Sequence, residues 1–369
     1  MTSNRHQNKS SSNQEPEKVW SSKASGFTLI EIMVALALGA TLLSGMISVF
    51  LGHKRTSGLN EAVIEMQQSA RFALSVLARD IRMAGFQGCS DPMTGTSNII
   101  ADTSPTTDLA ATAISGHVIT TTGDLEPQGP IGFSLPDVQP QPIEGSHALV
   151  VQFGSPETHQ LEPMTNANEP VVLTTDSPGF VTGDLVLISN CQVSDIFQVS
   201  GAQLSVLQHD SSVNSNESEL SAAYGSAGEN NRPRAMRFES NVYFLADSGR
   251  TNGAGDSITS LYRQSLPYVS QPLEVIEGVE NLQLRFTLSG ENGNVRYVTA
   301  DELEDGDAAN ILSVQIGLLM RSHDRVSDTS PSANYKLAGE FVSVEIPNTG
   351  NRHRMRMAFN STIRVRNRR

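Results

Sequence analysis

The sequence predicts an α+β protein: one long N-terminal helix that carries a β-rich head of antiparallel strands. Residues 27–52 are apolar except for one charged residue, Glu31. Residues 53–86 then repeat apolar side chains at steps of three and four, which is typical of an amphipathic helix. Residues 87–369 instead show short alternating patterns bounded by Gly, Asn, Asp and Ser, which indicate strands.

The composition is that of a folded protein with an acidic surface. The chain has 369 residues, of which 38% are hydrophobic and 18% are charged, and its formal net charge is −13. Both fractions are ordinary for a globular protein. A chain this acidic has no general attraction for phosphate backbones. We therefore expect no nucleic acid among its partners.

The apolar run 27–52 is long enough to cross a membrane. A helix of roughly 20 apolar residues spans the hydrocarbon core. A cleavable secretory signal is the alternative, but this run exceeds the usual h-region and no small-residue cleavage site follows it. Lys18 and Lys23 before the run are balanced by Lys54 and Arg55 after it, so the distribution of positive charge does not decide the orientation.

The residues directly before this run form a recognisable motif. Ser25-Gly26-Phe27-Thr28-Leu29-Ile30-Glu31 resembles the signal of type IV pilins and of type II secretion pseudopilins. The resemblance implies that a prepilin peptidase removes a leader, residues 1–26, by cutting between Gly26 and Phe27, and that it methylates the new amino group of Phe27. It also implies a single-pass protein of the inner membrane with its head in the periplasm.

Glu31 is expected to act in assembly. A carboxylate near the start of a membrane helix costs a few kcal/mol and is usually kept only with a partner. The resemblance implies that this partner is the N-terminal amine of a neighbouring subunit. Two alternatives stay open: a side chain that extends to the lipid headgroups, or a carboxyl group that is protonated.

The end of the predicted helix carries a narrower resemblance. In the string 80–89, either Gly85 or Gly88 suits a left-handed helix cap, and the whole string resembles the segment that follows the first helix in PilW-type minor pilins. Further similar strings lie at Leu261–Arg263, Glu277–Gln283, Val314–Leu319, Arg354–Arg356 and Ile363–Asn367.

The PilW resemblance implies a role in assembly of the type IV pilus. A minor pilin of this kind would join other minor and major pilins in a priming or tip complex, with a tip adhesin as a further partner, and would move from the inner membrane to the pilus or its tip. A pseudopilin of a type II secretion system is the alternative within the same superfamily.

The two cysteines, Cys89 and Cys191, fit neither a metal knuckle nor a CxxC redox motif. In the oxidising periplasm that the resemblance implies, they are expected to form a disulfide. Two unpaired buried thiols are the alternative.

Several apolar runs predict strands of the head, and two polar stretches, 90–146 and 208–233, predict loop-rich insertions. In the last predicted strand, apolar residues alternate with Arg354, Arg356, Arg364 and Arg366, which indicates a half-exposed strand more than a nucleic-acid site. The other predicted strands are Val150–Phe153, Leu185–Ile188, Phe238–Ala246, Leu282–Phe286 and Val314–Met320.

Motifs for catalysis are lacking in the sequence, which has no GxxxxGK loop, HExxH or GxSxG. We therefore expect no enzyme, and a membrane-tethered periplasmic enzyme is the weakest alternative. No cofactor is expected apart from calcium, a hard cation that binds oxygen ligands. The weak candidates for calcium ligands, in a run that a solvated acidic loop explains equally, are Asp301, Glu302, Glu304, Asp305 and Asp307.

Overall fold

The structure is a computed structural model of the chain. It describes residues 26–89, 96–120, 124–134, 139–175, 179–215, 219–225, 233–268, 271–290, 293–304, 306–326, 334–344 and 354–367.

Two α-helices and eighteen strands make up the regular structure of these residues. The helices are α1 (Leu29–Met83) and α2 (Leu109–Thr112), and a 3-10 turn covers Asp307–Asn310. The strands are β1 (Thr96–Ile99), β2 (Ile114–Ile119), β3 (Leu125–Glu126), β4 (His147–Gln160), β5 (Val171–Val172), β6 (Leu185–Ser189), β7 (Val193–Gln198), β8 (Gly201–Gln203), β9 (Val206–Gln208), β10 (Arg234–Thr251), β11 (Ser257–Ser265), β12 (Leu273–Glu277), β13 (Val279–Ser289), β14 (Val295–Thr299), β15 (Ile311–Arg325), β16 (Asn334–Leu337), β17 (Glu340–Ser343) and β18 (Arg354–Arg364).

The chain divides into two compact units, Met1–Thr56 and Ser57–Arg369, and the boundary falls within α1. The described part of the first unit is helical from Leu29 onward, and nearly all of its side chains are exposed. In the second unit α1 buries a stripe of side chains at steps of three and four. The spacing agrees with the predicted amphipathic helix, and the stripe comprises Ala62, Met66, Ala70, Ala73, Leu77 and Ile81.

The larger sheet of the second unit has nine strands. Its main path runs β1-β7-β6-β10-β4-β2-β3, and β11 and β12 extend it from β10. β10 is long enough to pair with β4 along one edge and with both β6 and β11 along the other. Every pairing is antiparallel except that of β1 with β7.

A second sheet of four antiparallel strands has the order β14-β13-β15-β18. The main hydrophobic core joins this sheet, the larger sheet and the buried stripe of α1. Its members include Leu77 and Ile81 of α1, Leu149, Val151 and Leu245 of the larger sheet, and Leu284, Phe286, Ile316 and Leu318 of the smaller one. A separate core surrounds the three-stranded sheet β5-β9-β8 and includes Val171, Phe197 and Leu207.

The α+β fold with a long apolar N-terminal helix is therefore confirmed. Each predicted strand lies within an observed one, except that the last prediction extends to Arg366 whereas β18 ends at Arg364. The stretch 90–146 contains more structure than its Thr-, Ser- and Pro-rich composition indicated. Strands β1, β2 and β3 and helix α2 lie in it, because strands β4 and β7 offer edges with which β2 and β1 pair. The described part of 208–233 has no strand beyond the end of β9 at Gln208.

Candidate assembly site

Helix α1 begins with a reciprocal capping arrangement. Thr28 directly precedes the helix, and its hydroxyl oxygen lies 3.4 Å from the amide nitrogen of Glu31, which donates to it. The Glu31 carboxylate in turn accepts from the Thr28 amide at 3.4 Å and from its hydroxyl at 3.5 Å. This is a capping box, which satisfies N–H groups that the first turn of a helix leaves unpaired. Glu31 therefore has a partner within its own chain.

The residues on either side of the expected cleavage point are open to their surroundings. Phe27 is exposed, and a Cβ placed on Gly26 would meet no atom within 4 Å. The large apolar side chains from Leu29 to Leu51 are exposed in the described residues. α1 contains a stretch long and apolar enough to cross a membrane. This surface needs lipid or apolar partners, because so much exposed apolar area is unfavourable in water.

The other end of α1 is held first by two hydrogen-bonding groups, the Gly85 amide and the Asn367 side chain. Gly85 has a φ of 71° and its amide donates to the carbonyl of Gln152 at 2.9 Å, so the predicted left-handed cap is present. The side-chain amide of Asn367 donates to the last carbonyls of the helix, those of Met83 and Ala84. The string Ile363–Asn367 at the far end of the chain therefore contacts the end of α1 directly, through Asn367.

The disulfide between Cys89 and Cys191 is present and confirms the predicted pairing. Their Cα atoms are 4.5 Å apart, within the range that a disulfide requires. Cys89 lies just after the end of α1, and Cys191 lies in the turn between β6 and β7. The bond therefore links the helix end to the larger sheet.

A buried carboxylate fixes α1 to the sheet one turn earlier. Asp80 is fully buried and accepts hydrogen bonds from the Tyr243 hydroxyl at 2.5 Å and from the Asn241 amide at 2.9 Å, and Arg79 donates to its other oxygen. Burial, together with the Asp80 carboxylate, raises the pKa of Tyr243 well above its ordinary value. The Tyr243 hydroxyl therefore stays protonated and donates. Sequence analysis did not identify this role of Asp80.

The interpretation of the last strand as half-exposed is wrong at its start. Arg364 and Arg366 are exposed, but Arg354 and Arg356 are buried. The reason is that this end of β18 lies against the half-buried carboxylate of Glu280 and against backbone carbonyls that accept from the guanidinium groups.

Glu280, which is half-buried, forms a charged cluster with buried arginines. The carboxylate accepts from Arg356 at 2.5 Å and from Arg321 at 3.2 Å. Arg354 donates to the carbonyl of Ser322 at 2.7 Å. Burial, and after it the positive charge of the neighbouring Arg321, lowers the pKa of Arg354 to about 10. Such a cluster is poor evidence of a high free energy of unfolding. It does favour one arrangement of the strands over others, because a misplaced strand would leave charges buried and unpaired.

Two carboxylates of the acidic run proposed for calcium, residues 301–307, already accept hydrogen bonds from groups of the protein. Asp307 accepts from Arg296 at 2.6 Å and from the amide of Glu304 at 3.2 Å, and Glu302 accepts from the amide of Thr299. Asp301 is exposed, and Asp305 lies outside the described residues. Within the part of the chain that the structure describes, no group of three His, Cys, Asp or Glu residues could hold a metal. Calcium binding stays a prediction.

A serine and a histidine meet in a cavity of about 360 Å³ beside β2. Nδ1 of His117 lies 2.6 Å from the carbonyl of Pro127, which only accepts, so Nδ1 carries the proton. Nε2 then accepts from the hydroxyl of Ser115 at 2.7 Å. Burial lowers the pKa of His117 to about 4, which keeps the ring neutral. The two residues are two positions apart and therefore share one face of β2. A serine and a histidine at this spacing are too common in sequences to indicate a site.

Two family models match the chain, one near each end. Residues 21–47 match the prokaryotic N-terminal methylation motif, which includes Gly26, Phe27 and Glu31. Residues 242–367 match the type IV pilus-assembly protein W family, from within β10 to the Asn367 cap. No curated protein matches the chain.

The matched regions contain the features that the geometry brings out. The methylation motif covers the capping box and most of the exposed apolar helix, and the second match covers Tyr243, Glu280 and the buried arginines. Together the two matches support a PilW-type minor pilin of the type IV pilus, anchored in a membrane by its N-terminal helix.

Proposed function

We propose that this pilin is cut between Gly26 and Phe27, methylated on Phe27, and recruited into a priming or tip complex with other minor pilins. The head lies in the periplasm before assembly, and the protein then passes from the inner membrane into the pilus. The observation that carries this proposal is the match to the methylation motif, which spans the expected cleavage point and continues into an exposed apolar helix whose first ionisable residue is Glu31. The expected partners are other minor and major pilins and the prepilin peptidase.

Glu31 has two successive partners in this proposal. In the free subunit its carboxylate accepts from Thr28 within the capping box. On assembly it pairs with the methylated amine of a neighbouring subunit, so that two opposite charges are neutralised in a medium where each is costly. The hydrogen bonds to Thr28, at 3.4 and 3.5 Å, are long and therefore weak. Little free energy is lost when Glu31 exchanges them for a charged partner.

The test is a variant that blocks cleavage. Gly26→Val should retain the leader 1–26 and migrate as the precursor on a denaturing gel, because the added side chain obstructs the bond to be cut. Gly39→Val is the matched control, since Gly39 also has open space around it. Normal processing of Gly26→Val would contradict the proposal.

The alternative within the superfamily is a pseudopilin that caps a type II secretion filament. Deletion of the gene separates the two functions: loss of surface pili and twitching with intact secretion supports the pilus role. Loss of secretion with normal pili would support the alternative.

The Ser115–His117 pair favours a membrane-tethered enzyme as a second candidate. A neutral imidazole that accepts from a serine hydroxyl, and is oriented through its other nitrogen, is the arrangement that activates a nucleophile. The same bonds also satisfy two polar groups near the core, which is the simpler interpretation. Labelling of the purified protein by a fluorophosphonate probe, lost in Ser115→Ala, would establish the enzyme; no labelling, with normal piliation by Ser115→Ala, would exclude this serine as a nucleophile.

A further inference from the structure

A second cavity of about 360 Å³ lies between the outer face of α1 and strand β12. We call it the α1–β12 cavity. It lies wholly within the unit that begins at Ser57. The lining residues that matter here are Phe72, Val76 and Arg79 of α1, Arg263 of β11, and Leu273 and Glu274 of β12.

Two large apolar side chains flank this cavity without being covered. Phe72 is 51% exposed and Leu273 is 58% exposed. β12 pairs with β11 alone among the described residues, so it is an edge strand. Apolar side chains on both sides of a concave site favour a macromolecular partner over bulk water, because a partner would remove both from solvent.

The cavity also contains a cation that lacks a full set of acceptors. Nε of Arg263 is buried and has no hydrogen-bond partner in the described part of the chain. The one carboxylate among the lining residues, that of Glu274, already accepts from Arg250 and from the Ser260 hydroxyl. A buried N–H without an acceptor is unfavourable, and a carboxylate is the strongest acceptor for a guanidinium. The cavity thus suits an apolar side chain close to a carboxylate.

We propose that the α1–β12 cavity receives the helix of a neighbouring pilin, through an apolar side chain and a carboxylate one helical turn apart. This proposal rests on the proposed function, because a pilin is assembled beside other pilins. The required pattern is chemically ordinary for such a helix: the chain's own α1 presents it at Glu61 and Ile64, which are both exposed. Residues three apart lie on one face of a helix.

The experiment uses the full-length protein in cells that assemble pili. A photoreactive benzoylphenylalanine replaces Ser75, an exposed residue that lines the cavity. Illumination should cross-link the protein to another pilin, identified by mass spectrometry. Leu273→Asp should lower the cross-link yield roughly tenfold, because burial of a leucine is worth about 1.5 to 3 kcal/mol and 1.4 kcal/mol is a factor of ten.

Leu204→Asp is the matched control, since Leu204 is 79% exposed and lies in the turn between β8 and β9. It should leave the yield unchanged. Arg79→Glu, at an exposed position on the cavity, provides a second variant that should also reduce the yield. An intact disulfide on a non-reducing gel shows that each variant has folded.

Three results would overturn the cavity proposal: cross-links to lipid alone, cross-links to proteins other than pilins, or equal loss in Leu273→Asp and Leu204→Asp. Cross-links to a second copy of this chain would support it and identify the neighbour. Failure of the cavity proposal is distinguishable from failure of the proposed function. In the first case the protein is processed and restores pili to a deletion strain without the cross-link; in the second it does not restore them.

Discussion

The two halves of α1 are the same secondary structure formed for different reasons. From Leu29 to Leu51 the large apolar side chains are exposed. From Met66 to Ile81 a stripe of small and medium apolar side chains is buried in the main core. The first half depends on an environment outside the chain, whereas the second half depends on the head. A helix can therefore have two functions when its apolar pattern changes from all faces to one face.

The acidic residues Glu31 and Asp80 make the contrast sharper. Both are near an end of α1, but Glu31 is exposed with long bonds to Thr28, and Asp80 is buried with short bonds to Tyr243 and Asn241. Glu31 has bonds that can be exchanged for a partner. Asp80 has bonds that any movement of the helix would break. We expect substitutions at these two positions to separate assembly from folding.

The largest expected effect is on assembly. Glu31→Ala should lower incorporation into pili roughly tenfold or more, because the neighbour's amine would be left unpaired in lipid and 1.4 kcal/mol is a factor of ten. Its free energy of unfolding should not change measurably, since Glu31 lies outside the core. Immunoblots of sheared pili measure the first quantity. Ser48→Ala, which removes a hydroxyl bonded to its own helix, should assemble normally.

Loss of the disulfide should cause the largest change in the stability of the head. A bond between residues 102 apart is worth about 4.7 kcal/mol in the chain-entropy model. The double variant Cys89→Ser/Cys191→Ser should unfold at a lower urea concentration than the wild type. Protease sensitivity of the protein in detergent, followed as a function of urea concentration, measures this change. Dithiothreitol should shift the wild type toward the variant and leave the variant unchanged. If the reductant destabilises both equally, its effect is not on this bond.

Asp80→Ala should destabilise the second half of α1 by about 2 to 4 kcal/mol, because it leaves the Tyr243 hydroxyl and the Asn241 amide buried without their acceptor. The same urea experiment measures this change. Asp102→Ala, at an exposed aspartate, should have little effect. An equal effect of both substitutions would show that the buried bonds contribute nothing specific.

The smallest expected effect is the pH dependence of the head. Nδ1 of His147 on β4 accepts from the amide of Leu284 on β13, and burial lowers the pKa of this histidine to about 4. The unfolded chain has the ordinary value near 6.5, so this stabilisation is complete above pH 6.5 and is lost as the pH falls toward 4. About 2 kcal/mol should be lost at pH 5.

His147→Asn should remove this component of the pH dependence while His117, which burial shifts in the same direction, retains its own. Urea unfolding at pH 7.5 and pH 5 measures the difference. His53→Asn, at an exposed position in the first half of α1, should leave the pH dependence as in the wild type. A wild type that is more stable at pH 5 would contradict the prediction.

Local patterns predicted the elements well where one physical rule dominated. The long apolar run, the amphipathic stripe and alternating strands such as β13 and β15 follow from periodicity alone. The capping box was also present in the sequence as Thr28 and Glu31, three residues apart, and could have been predicted. The polar strands β1 to β3 could not, because they are stabilised by edges of β4 and β7 that are remote in sequence.

Buried polar groups were the hardest to predict. Arg354 and Arg356 alternate with apolar residues, which is the pattern of a strand with one exposed face. In the structure both are buried, with Glu280 of β13 accepting from Arg356. Arg364, at the end of the same strand, and Arg366, just beyond it, follow the same pattern and are exposed. The sequence pattern identifies a face of the strand but not what covers it.

The sequence by itself determined the membrane helix, the processing motif, the class of fold and the pair of cysteines available for a bond. These follow from local composition and spacing, for which a few neighbouring residues suffice. The tertiary structure alone decided that Asp80 is buried beneath α1, that Asn367 caps the helix end, and that Arg263 and Leu273 meet Phe72 around one cavity. Such contacts join residues separated by more than a hundred positions, and their energies depend on burial, which no local pattern specifies.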